Sequence, residues 1–258
     1  MSDKAQEKGA TGIPEPLVLP NVKKVIAVLS GKGGVGKSTV TSLLACEFAR
    51  RGYKVGILDA DVTGPSIPKI FGVNKKLEVK NDKLQPAISK LGIKVVSLNL
   101  LLPSEDDPVI WRGPMLSKVI KEFWEQVDWG ELDYLFIDLP PGTSDVMITV
   151  FQSIPVEGAI VVTTPQDLAS LIVKKSMKMV KRVKNGKLLG IVENMSYFVC
   201  PDNQKEYYIF GASKVEKIAL EYGIEVLAKV PIDPVMVQMA DEGKIEDYSK
   251  EIFSHLKI

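Results

Sequence analysis

Histidine and cysteine are scarce in this chain, which has one histidine, His255, and two cysteines, Cys46 and Cys200. A single histidine excludes a metal site built from several histidines, and it excludes catalysis that depends on histidine pairs. Two cysteines far apart in the sequence do not make a disulfide framework. Cys46 falls beside the apolar stripe of a predicted helix, so we expect it to be a small buried side chain.

The chain also lacks a strong net charge and long apolar runs. Its 33 basic and 32 acidic residues give a formal net charge of +1, so no overall field attracts nucleic acid or a membrane. No apolar run approaches the roughly 18 residues of a membrane-spanning helix. The N-terminus has no apolar core of a secretory signal. We therefore expect a cytoplasmic protein with no nucleic-acid partner and no membrane association.

Enough apolar sequence is present for a full core, since 45% of the 258 residues are hydrophobic. Residues 1–20 are polar and then rich in proline, which indicates a flexible N-terminal arm, and we expect residues 21–258 to form one domain. Apolar, β-branched strands alternate with helices, which predicts a mostly parallel doubly wound sheet with helices on both faces. The predicted strands are 24–30, 54–59, 93–98, 133–138, 158–165, 188–195 and 226–230, with a hairpin around Asn81-Asp82. The later predicted helices are 115–127, 167–184, 234–243 and 245–256.

A glycine-rich loop between the first strand and the first helix carries the strongest chemical signal. It fits the pattern G-x-x-x-x-G-K-[ST], whose glycines let the backbone N–H groups and the helix N-terminus surround phosphate oxygens. Lys37 would reach the β- and γ-phosphates, and the Ser38 hydroxyl would bind Mg²⁺. The predicted nucleotide-binding residues of the loop are Gly31, Lys32, Gly33, Gly34, Val35, Gly36, Lys37, Ser38 and Thr39.

The second lysine of the loop, Lys32, is not needed by ordinary phosphate loops. The G-K-G-G-x-G-K-[ST] form resembles the deviant Walker A family of MinD, ParA, nitrogenase iron protein and Mrp-type iron–sulfur carriers. The resemblance implies a homodimer in which Lys32 reaches the nucleotide of the partner subunit. A solvated loop lysine is the alternative interpretation.

Two further motifs match the switch regions of that family. Asp59 and Asp61 follow the second strand: the resemblance implies that Asp61 orients the attacking water and contacts Mg²⁺ through water, and that Asp59 supports the metal environment. Asp61 could instead cap the following helix. Asp138 ends an apolar strand, as a Walker B carboxylate near the metal does. Gly142 matches the switch II glycine, whose N–H turns toward a γ-phosphate.

The strings W-R-G-P-M at 111–115 and D-L-P-P-G-T-S-D at 138–145 narrow the resemblance to the Mrp/ApbC-type iron–sulfur cluster carriers. Asn194 matches the family position that binds adenine, although an asparagine at a strand end could equally be a cap. The segment with Pro231 and Asp233 resembles the loop that packs on the same base. These three residues complete the predicted nucleotide site.

Cys200 lies where Mrp-type carriers place a C-x-x-C, so that two subunits supply four thiolates to a bridging iron–sulfur cluster. This chain has Asn203 at the second position, and asparagine is a poor ligand for soft iron–sulfur chemistry. A dimer would present two thiolates. The cluster is then held by fewer protein ligands, is labile, or is absent, and Cys200 could be an ordinary loop cysteine.

The resemblance therefore implies a slow Mg²⁺-dependent ATPase that carries iron–sulfur clusters to apoproteins, with apo iron–sulfur proteins or a cluster-assembly scaffold as partners. A MinD/ParA-like ATPase switch that carries no cluster is the main alternative, and Asn203 is its best support. A reductase like nitrogenase iron protein fits less well, because no cysteine lies between Cys46 and Cys200. A small-molecule kinase would not need Lys32.

Overall fold

The computed structural model describes residues 19, 21–61, 64, 66–101, 113–166, 171–182 and 186–258. The predicted arm, apart from Leu19, and the start of the W-R-G-P-M motif lie outside these residues. The strands are β1 (Val22–Ser30), β2 (Val55–Asp59), β3 (Glu78–Lys80), β4 (Lys83–Gln85), β5 (Ala87–Ile88), β6 (Lys94–Ser97), β7 (Leu132–Asp138), β8 (Gly158–Thr163), β9 (Leu188–Glu193), β10 (Phe198–Val199), β11 (Glu206–Tyr207) and β12 (Glu225–Lys229). The α-helices are α1 (Lys37–Arg50), α2 (Ile67–Ile70), α3 (Gly113–Gln126), α4 (Asp145–Ser153), α5 (Leu171–Arg182), α6 (Val215–Tyr222) and α7 (Pro234–Asp241).

An eight-stranded sheet with the order β12-β9-β8-β1-β7-β2-β6-β5 forms the centre of the described structure. Seven of its strands are parallel to their neighbours, and the short edge strand β5 pairs antiparallel with β6. The strands next to the centre are almost completely buried because helices cover both faces, as is usual for parallel sheets. The predicted mostly parallel α/β fold is confirmed.

Two separate apolar cores lie on the two faces of the sheet. On one face, α1, α7 and the C-terminal residues pack around side chains such as Phe48, Phe136 and Phe253. On the other face, α3, α4, α5 and α6 pack around side chains such as Trp124 and Met147. The result is the three-layer α/β/α arrangement predicted from the alternating strands and helices. Among the described helices, none combines the length and apolar character needed to cross a membrane.

The predicted hairpin around Asn81-Asp82 is present as β3 and β4. Asn81 and Asp82 both have positive φ angles, 52° and 57°, as the two central residues of a tight hairpin turn require. The hairpin prediction is therefore confirmed, together with the turn chemistry that motivated it.

The helix predicted over 245–256 is wrong, because only a short 3₁₀ turn, Ile245–Asp247, forms there. Arginine side chains at the C-terminal end of α1 bind the backbone carbonyls that a helix would use. Arg50 donates to the carbonyls of Glu246 and Tyr248, at 2.8 Å and 2.7 Å. Arg51 donates to the carbonyl of Leu256, at 2.6 Å. These tertiary bonds outweigh the local helical pattern and fix the tail against the end of α1.

The parallel strands bring the chemically informative residues to one edge of the sheet. The carboxyl end of β1 leads into the glycine loop, and the adjacent ends of β2 and β7 carry Asp59 and Asp138, which are register partners. The ends of β9 and β12 lead to Asn194 and Pro231. Ligands of open α/β sheets bind at this edge, so the topology places the candidate site there.

Candidate nucleotide-binding site

A cavity of about 540 Å³ lies at the carboxyl edge of the sheet, lined by the glycine loop and by apolar side chains. Of the sequence-predicted residues, the cavity wall includes Lys32, Gly33, Gly34, Val35, Gly36, Lys37, Ser38, Thr39, Asp61, Asn194, Pro231 and Asp233. Asp138 and Asp59 do not line the cavity, but both accept hydrogen bonds from residues that do. Asp138 accepts from Lys37 and Ser38, and Asp59 accepts from the Asp61 N–H. The described wall therefore unites residues from six separate segments of the chain.

Gly36 shapes the phosphate end of the cavity, where α1 begins. It has φ 75° and ψ 28°, a left-handed conformation, and it provides no side chain to cap the helix. A Cβ at this position would lie 2.2 Å from Asn194 Nδ2. The first-turn residues Lys37, Ser38 and Thr39 line the cavity, and the unpaired N–H groups of a helix N-terminus can bind phosphate oxygens.

Asp138 is the centre of a buried hydrogen-bond cluster beneath the loop. Its Oδ2 atom accepts from Lys37 Nζ and from Ser38 Oγ, both at 2.6 Å, and its Oδ1 atom accepts from Thr41 Oγ1 at 2.7 Å. The carboxylate is completely buried. Three donors offset the cost of burying this charge. The cluster holds the lysine and the serine of the loop in fixed positions.

Asp59 and Asp61 lie next to this cluster, on the end of β2. Asp59 Oδ1 accepts from the Asp61 N–H, and Asp59 Oδ2 accepts from Ser97 Oγ, both at 3.1 Å. Burial, and then the charge of Asp138, raise the pKa of Asp59 above its ordinary range, while Lys37 and the Asp61 N–H oppose this shift. Asp61 is 9% exposed, and its Oδ2 atom lies 3.8 Å from Lys37 Nζ.

The side-chain oxygen atoms around Lys37 fit Mg²⁺ as ligands. Mg²⁺ prefers oxygen ligands and is usually bound by one or two carboxylates together with substrate phosphates and waters. Ser38 Oγ, Asp138 and Asp61 supply such oxygens. Among the described residues, no group of three or more histidine, cysteine, aspartate or glutamate side chains could hold a metal alone. Phosphate oxygens and waters would therefore have to complete the coordination.

Gly142, predicted to turn toward a γ-phosphate, and Lys32, predicted to reach the partner subunit's nucleotide, occupy defined positions. Gly142 has φ +78°, and its N–H donates to the Ser30 carbonyl at 2.9 Å. Turning that N–H toward a phosphate requires this bond to break. Lys32 is exposed on the loop, where Ser30 Oγ donates to its carbonyl at 2.9 Å. The exposed side chain can be reached from outside the subunit.

Asn194 lines the cavity beside the glycine loop and is 3% exposed. Its Nδ2 donates to the Val35 carbonyl at 2.9 Å, and its Oδ1 is buried without a hydrogen-bond partner among the described residues. A buried acceptor without a donor costs free energy, so this oxygen suits a ligand that brings an N–H group. The adenine amino group is such a donor, whereas guanine presents an acceptor at the same place.

Pro231 and Asp233 lie on the loop after β12 and also line the cavity. The Asp233 carboxylate caps α7 by accepting from the Val235 N–H at 3.0 Å. It also accepts from Tyr248 Oη at 2.9 Å and from Lys250 Nζ at 2.6 Å. These bonds fix the shape of the loop.

Cys200 is not in the cavity but at the turn of a small antiparallel hairpin formed by β10 and β11. Its backbone pairs with Lys205 and Gln204, at 3.0 Å and 2.9 Å, and its side chain is half-buried. Asn203 Oδ1 accepts from the Lys205 N–H at 3.0 Å, and its Nδ2 donates to Tyr207 Oη at 3.3 Å. Asn203 therefore shapes the turn and does not act as a second soft ligand.

Sequence reasoning missed several residues of the site. Thr41 lies one helical turn after Lys37, and the i, i+4 spacing on α1 was a signal that could have found it. The apolar walls were missed because they come from unrelated segments that carry no motif. These wall residues are Met195, Phe210, Ile232, Met236, Val237 and Ala240.

Comparison with known proteins agrees with this geometry. A family model described as ParA, NUBPL iron-transfer P-loop NTPase, matches residues 21–256. The chain belongs to this family. The resemblance found in the sequence is thereby confirmed, and this P-loop NTPase matches the family over nearly all of its length.

Two similar proteins have the name iron-sulfur cluster carrier protein. The one from Aquifex aeolicus is 52% identical over 228 residues, which cover 88% of this P-loop NTPase and 62% of the relative, so the chain spans less than two thirds of that relative. The one from Clostridium perfringens is 47% identical over 239 residues, covering 90% and 84%. A nucleotide-binding protein from Archaeoglobus fulgidus, solved in complex with ADP and with Co found in it, is 46% identical with a TM-score of 0.81, covering 89% and 90%.

Proposed function

We propose that this P-loop NTPase is a homodimeric ATPase of the cytoplasm that binds iron–sulfur clusters and transfers them to apoproteins. The relatives named as cluster carriers support the cargo, and the site geometry supports the nucleotide. The recipients would be apo iron–sulfur proteins or a cluster-assembly scaffold. The observation that carries the proposal is the convergence of Lys37, Ser38 and Asp138 within 2.6 Å contacts beneath a phosphate loop.

The nucleotide would lie with its phosphates on the loop and its base between Asn194 and the apolar wall. Lys37 would exchange its bond to Asp138 for the β- and γ-phosphates, and the first-turn N–H groups of α1 would bind the remaining oxygens. Bound Mg²⁺ would offset the negative charge of the phosphates. The Asn194 acceptor would favour ATP over GTP.

Hydrolysis would follow the usual in-line course of phosphoryl transfer. A water attacks the γ-phosphorus, the bond to the β-phosphate oxygen breaks, and ADP and phosphate leave. Asp61, near Lys37, would hold the attacking water, and Lys37 with the partner subunit's Lys32 would stabilise the charge that develops. We expect the Asp61→Ala variant to bind ATP and to turn it over slowly. Turnover equal to the wild type would remove Asp61 from this role.

The exposed position of Lys32 supports the dimer, because a lysine that acts in the partner's site must extend from the surface of its own subunit. ATP would close the dimer, and hydrolysis would reopen it. We expect ATP-dependent dimerisation, measured by sedimentation, to be lost in Lys32→Ala. Exposed Lys75, which pairs with Glu78, provides a control substitution away from the cavity. A dimer indifferent to Lys32→Ala would contradict the sandwich.

Cys200 would be the ligand that each subunit offers to the cluster, giving two thiolates in the dimer. Because Asn203 is bonded within the turn, we expect a weakly held cluster, which suits a cargo that must be released. Asn203 in place of a second cysteine also favours the second candidate, an ATPase switch that carries no cluster.

Anaerobic reconstitution with iron and sulfide separates the two candidates. The carrier predicts visible absorbance and retained iron in the wild type and in Cys46→Ser, with loss of both in Cys200→Ser. Cys46 is the matched control because it is the other cysteine of the chain and is completely buried. No retained iron in any of the three proteins would favour the switch.

A further inference from the structure

Glu193, the last residue of β9, is a buried carboxylate that the nucleotide site does not use. It is completely buried and accepts from two hydroxyl groups, Ser196 Oγ at 2.5 Å and Ser213 Oγ at 2.9 Å. Lys229, its register partner on β12, brings a positive charge nearby. Hydrogen bonds to a buried charge are stronger than neutral ones, so these two bonds are expected to be strong constraints.

The two serines lie on either side of the segment that carries Cys200. We call residues 197–212 the Cys200 segment; Ser196 precedes it and Ser213 follows it, at the start of α6. One carboxylate therefore holds both ends of this segment. The segment begins with a further bond, from the Ile232 N–H to the Tyr197 carbonyl at 2.7 Å. Its position depends on Glu193 and on the loop after β12.

The same elements line the part of the cavity where the nucleotide base is proposed to bind. Asn194 directly follows Glu193 and bonds Val35 of the phosphate loop. The backbone of Glu193 accepts from the Val230 N–H at 2.9 Å, next to Pro231. Phe210, inside the Cys200 segment, lines the cavity. A bound base would thus contact both the strand end that carries Glu193 and the segment that Glu193 holds.

We propose that Glu193 is a positioning residue that couples nucleotide binding to the orientation of the Cys200 hairpin. The inference rests on the proposed ATP site. It adds a path by which bound nucleotide changes the orientation of the hairpin that carries the Cys200 thiol. A ligand shifts an equilibrium only through contacts that differ between the two states. Contacts of the base with Phe210 and Asn194 supply that difference, and the bonds of Glu193 carry it to both ends of the segment.

The test measures the rate at which an alkylating reagent labels Cys200, with and without ATP, with the labelled site identified by mass spectrometry. In the wild type we expect ATP to change this rate by about fivefold or more, the lower range of coupling between sites. In Glu193→Gln the ratio should approach one while ATP affinity stays close to that of the wild type. Ser213→Ala, which removes one donor only, should reduce the ratio in part and is less disruptive to folding.

Glu246→Gln is the matched control. Glu246 is also buried and also accepts from a serine, Ser89 Oγ at 2.7 Å, together with the Lys90 N–H at 2.9 Å, but it lies in the C-terminal tail. Its substitution should leave the ratio unchanged. A wild-type ratio of one, or a ratio unchanged by Glu193→Gln, would overturn the inference alone. Failure of the wild type to bind ATP would overturn the proposed function as well.

Discussion

Lys37 Nζ lies 2.6 Å from Asp138 Oδ2, although 101 residues separate the two side chains in the sequence. The lysine is 6% exposed and the aspartate is completely buried. Either charge without the other would be buried and unpaired, which is costly. Register pairing of β7 with β1 and β2 fixes Asp138 beneath the loop. A phosphate that binds Lys37 must take over part of this interaction, which leaves Asp138 dependent on its remaining donors.

Thr41 is the donor that holds the other oxygen of Asp138, and we expect Thr41→Val to disturb the site without changing its shape. Valine has the size of threonine but no hydroxyl, so Asp138 Oδ1 loses its 2.7 Å bond. The free energy of unfolding should fall by about 1–3 kcal/mol. The Mg²⁺ concentration needed for half-maximal ATP hydrolysis should rise several-fold, and a titration of rate against Mg²⁺ measures it.

Thr41→Ser is the control for this experiment, since serine keeps the hydroxyl and loses only a methyl group. It should retain most of the stability and the Mg²⁺ dependence of the wild type. Equal Mg²⁺ dependence in the valine and serine variants would show that Thr41 does not position Asp138.

Asn194→Ala should weaken ATP binding mainly through the base. The variant loses the buried Oδ1 acceptor and the bond to the Val35 carbonyl. Loss of about 1.4 kcal/mol corresponds to a tenfold weaker ATP affinity. Affinity for inorganic tripolyphosphate, which has no base, should fall much less, and calorimetry of both ligands checks the expectation. Equal weakening of the two ligands would place Asn194 in phosphate binding.

Local pattern predicted much of this structure. The buried strands, the glycine loop and the hairpin turn at Asn81-Asp82 each have a signal within a few residues, and each appears where it was expected. Asp138 has a local signal as well, because it ends an apolar strand as a Walker B carboxylate does. Contacts that depend on two distant segments had no such signal.

The tail and the Cys200 segment illustrate that limit. Residues 245–256 have a helical pattern, but Arg50 and Arg51 bind the carbonyls, and no local rule anticipates bonds from arginines 196 and 205 residues earlier. The bonds from Ser196 and Ser213 to Glu193 join residues that lie on either side of a hairpin. Such tertiary bonds become visible only when the fold brings the groups together.

The two cysteines should differ sharply in reactivity. Cys46 is completely buried in α1, and burial raises the pKa of its thiol to about 12, so almost no thiolate forms at neutral pH. Cys200 is half-buried on a surface hairpin. An alkylating reagent at pH 7.5 should label one thiol per native chain and two in denaturant. Rapid labelling of Cys46 in the native protein would contradict the packing of α1.

Asp233 should stabilise the fold in a pH-dependent way. Burial alone would raise the pKa of this carboxyl, but bonds from Lys250, Tyr248 and the Val235 N–H hold it below its ordinary range. A lowered folded-state pKa contributes stability above the ordinary carboxyl pKa of about 4, and this stability is lost as the pH falls through the folded value. Asp233→Asn should therefore cost about 1–3 kcal/mol at pH 7 and progressively less below about pH 4.

Denaturant titrations of Asp233→Asn and of the wild type, repeated from pH 7 to pH 3, measure this difference. Asp241→Asn is the matched control, because Asp241 also lines the cavity but is exposed, and it should change the free energy of unfolding by less than about 0.5 kcal/mol. The two stability curves of Asp233→Asn and the wild type should converge at acid pH, since both then lack a charge at position 233. A difference that persists undiminished at pH 3 would mean that shape, and not the carboxylate charge, makes Asp233 stabilising.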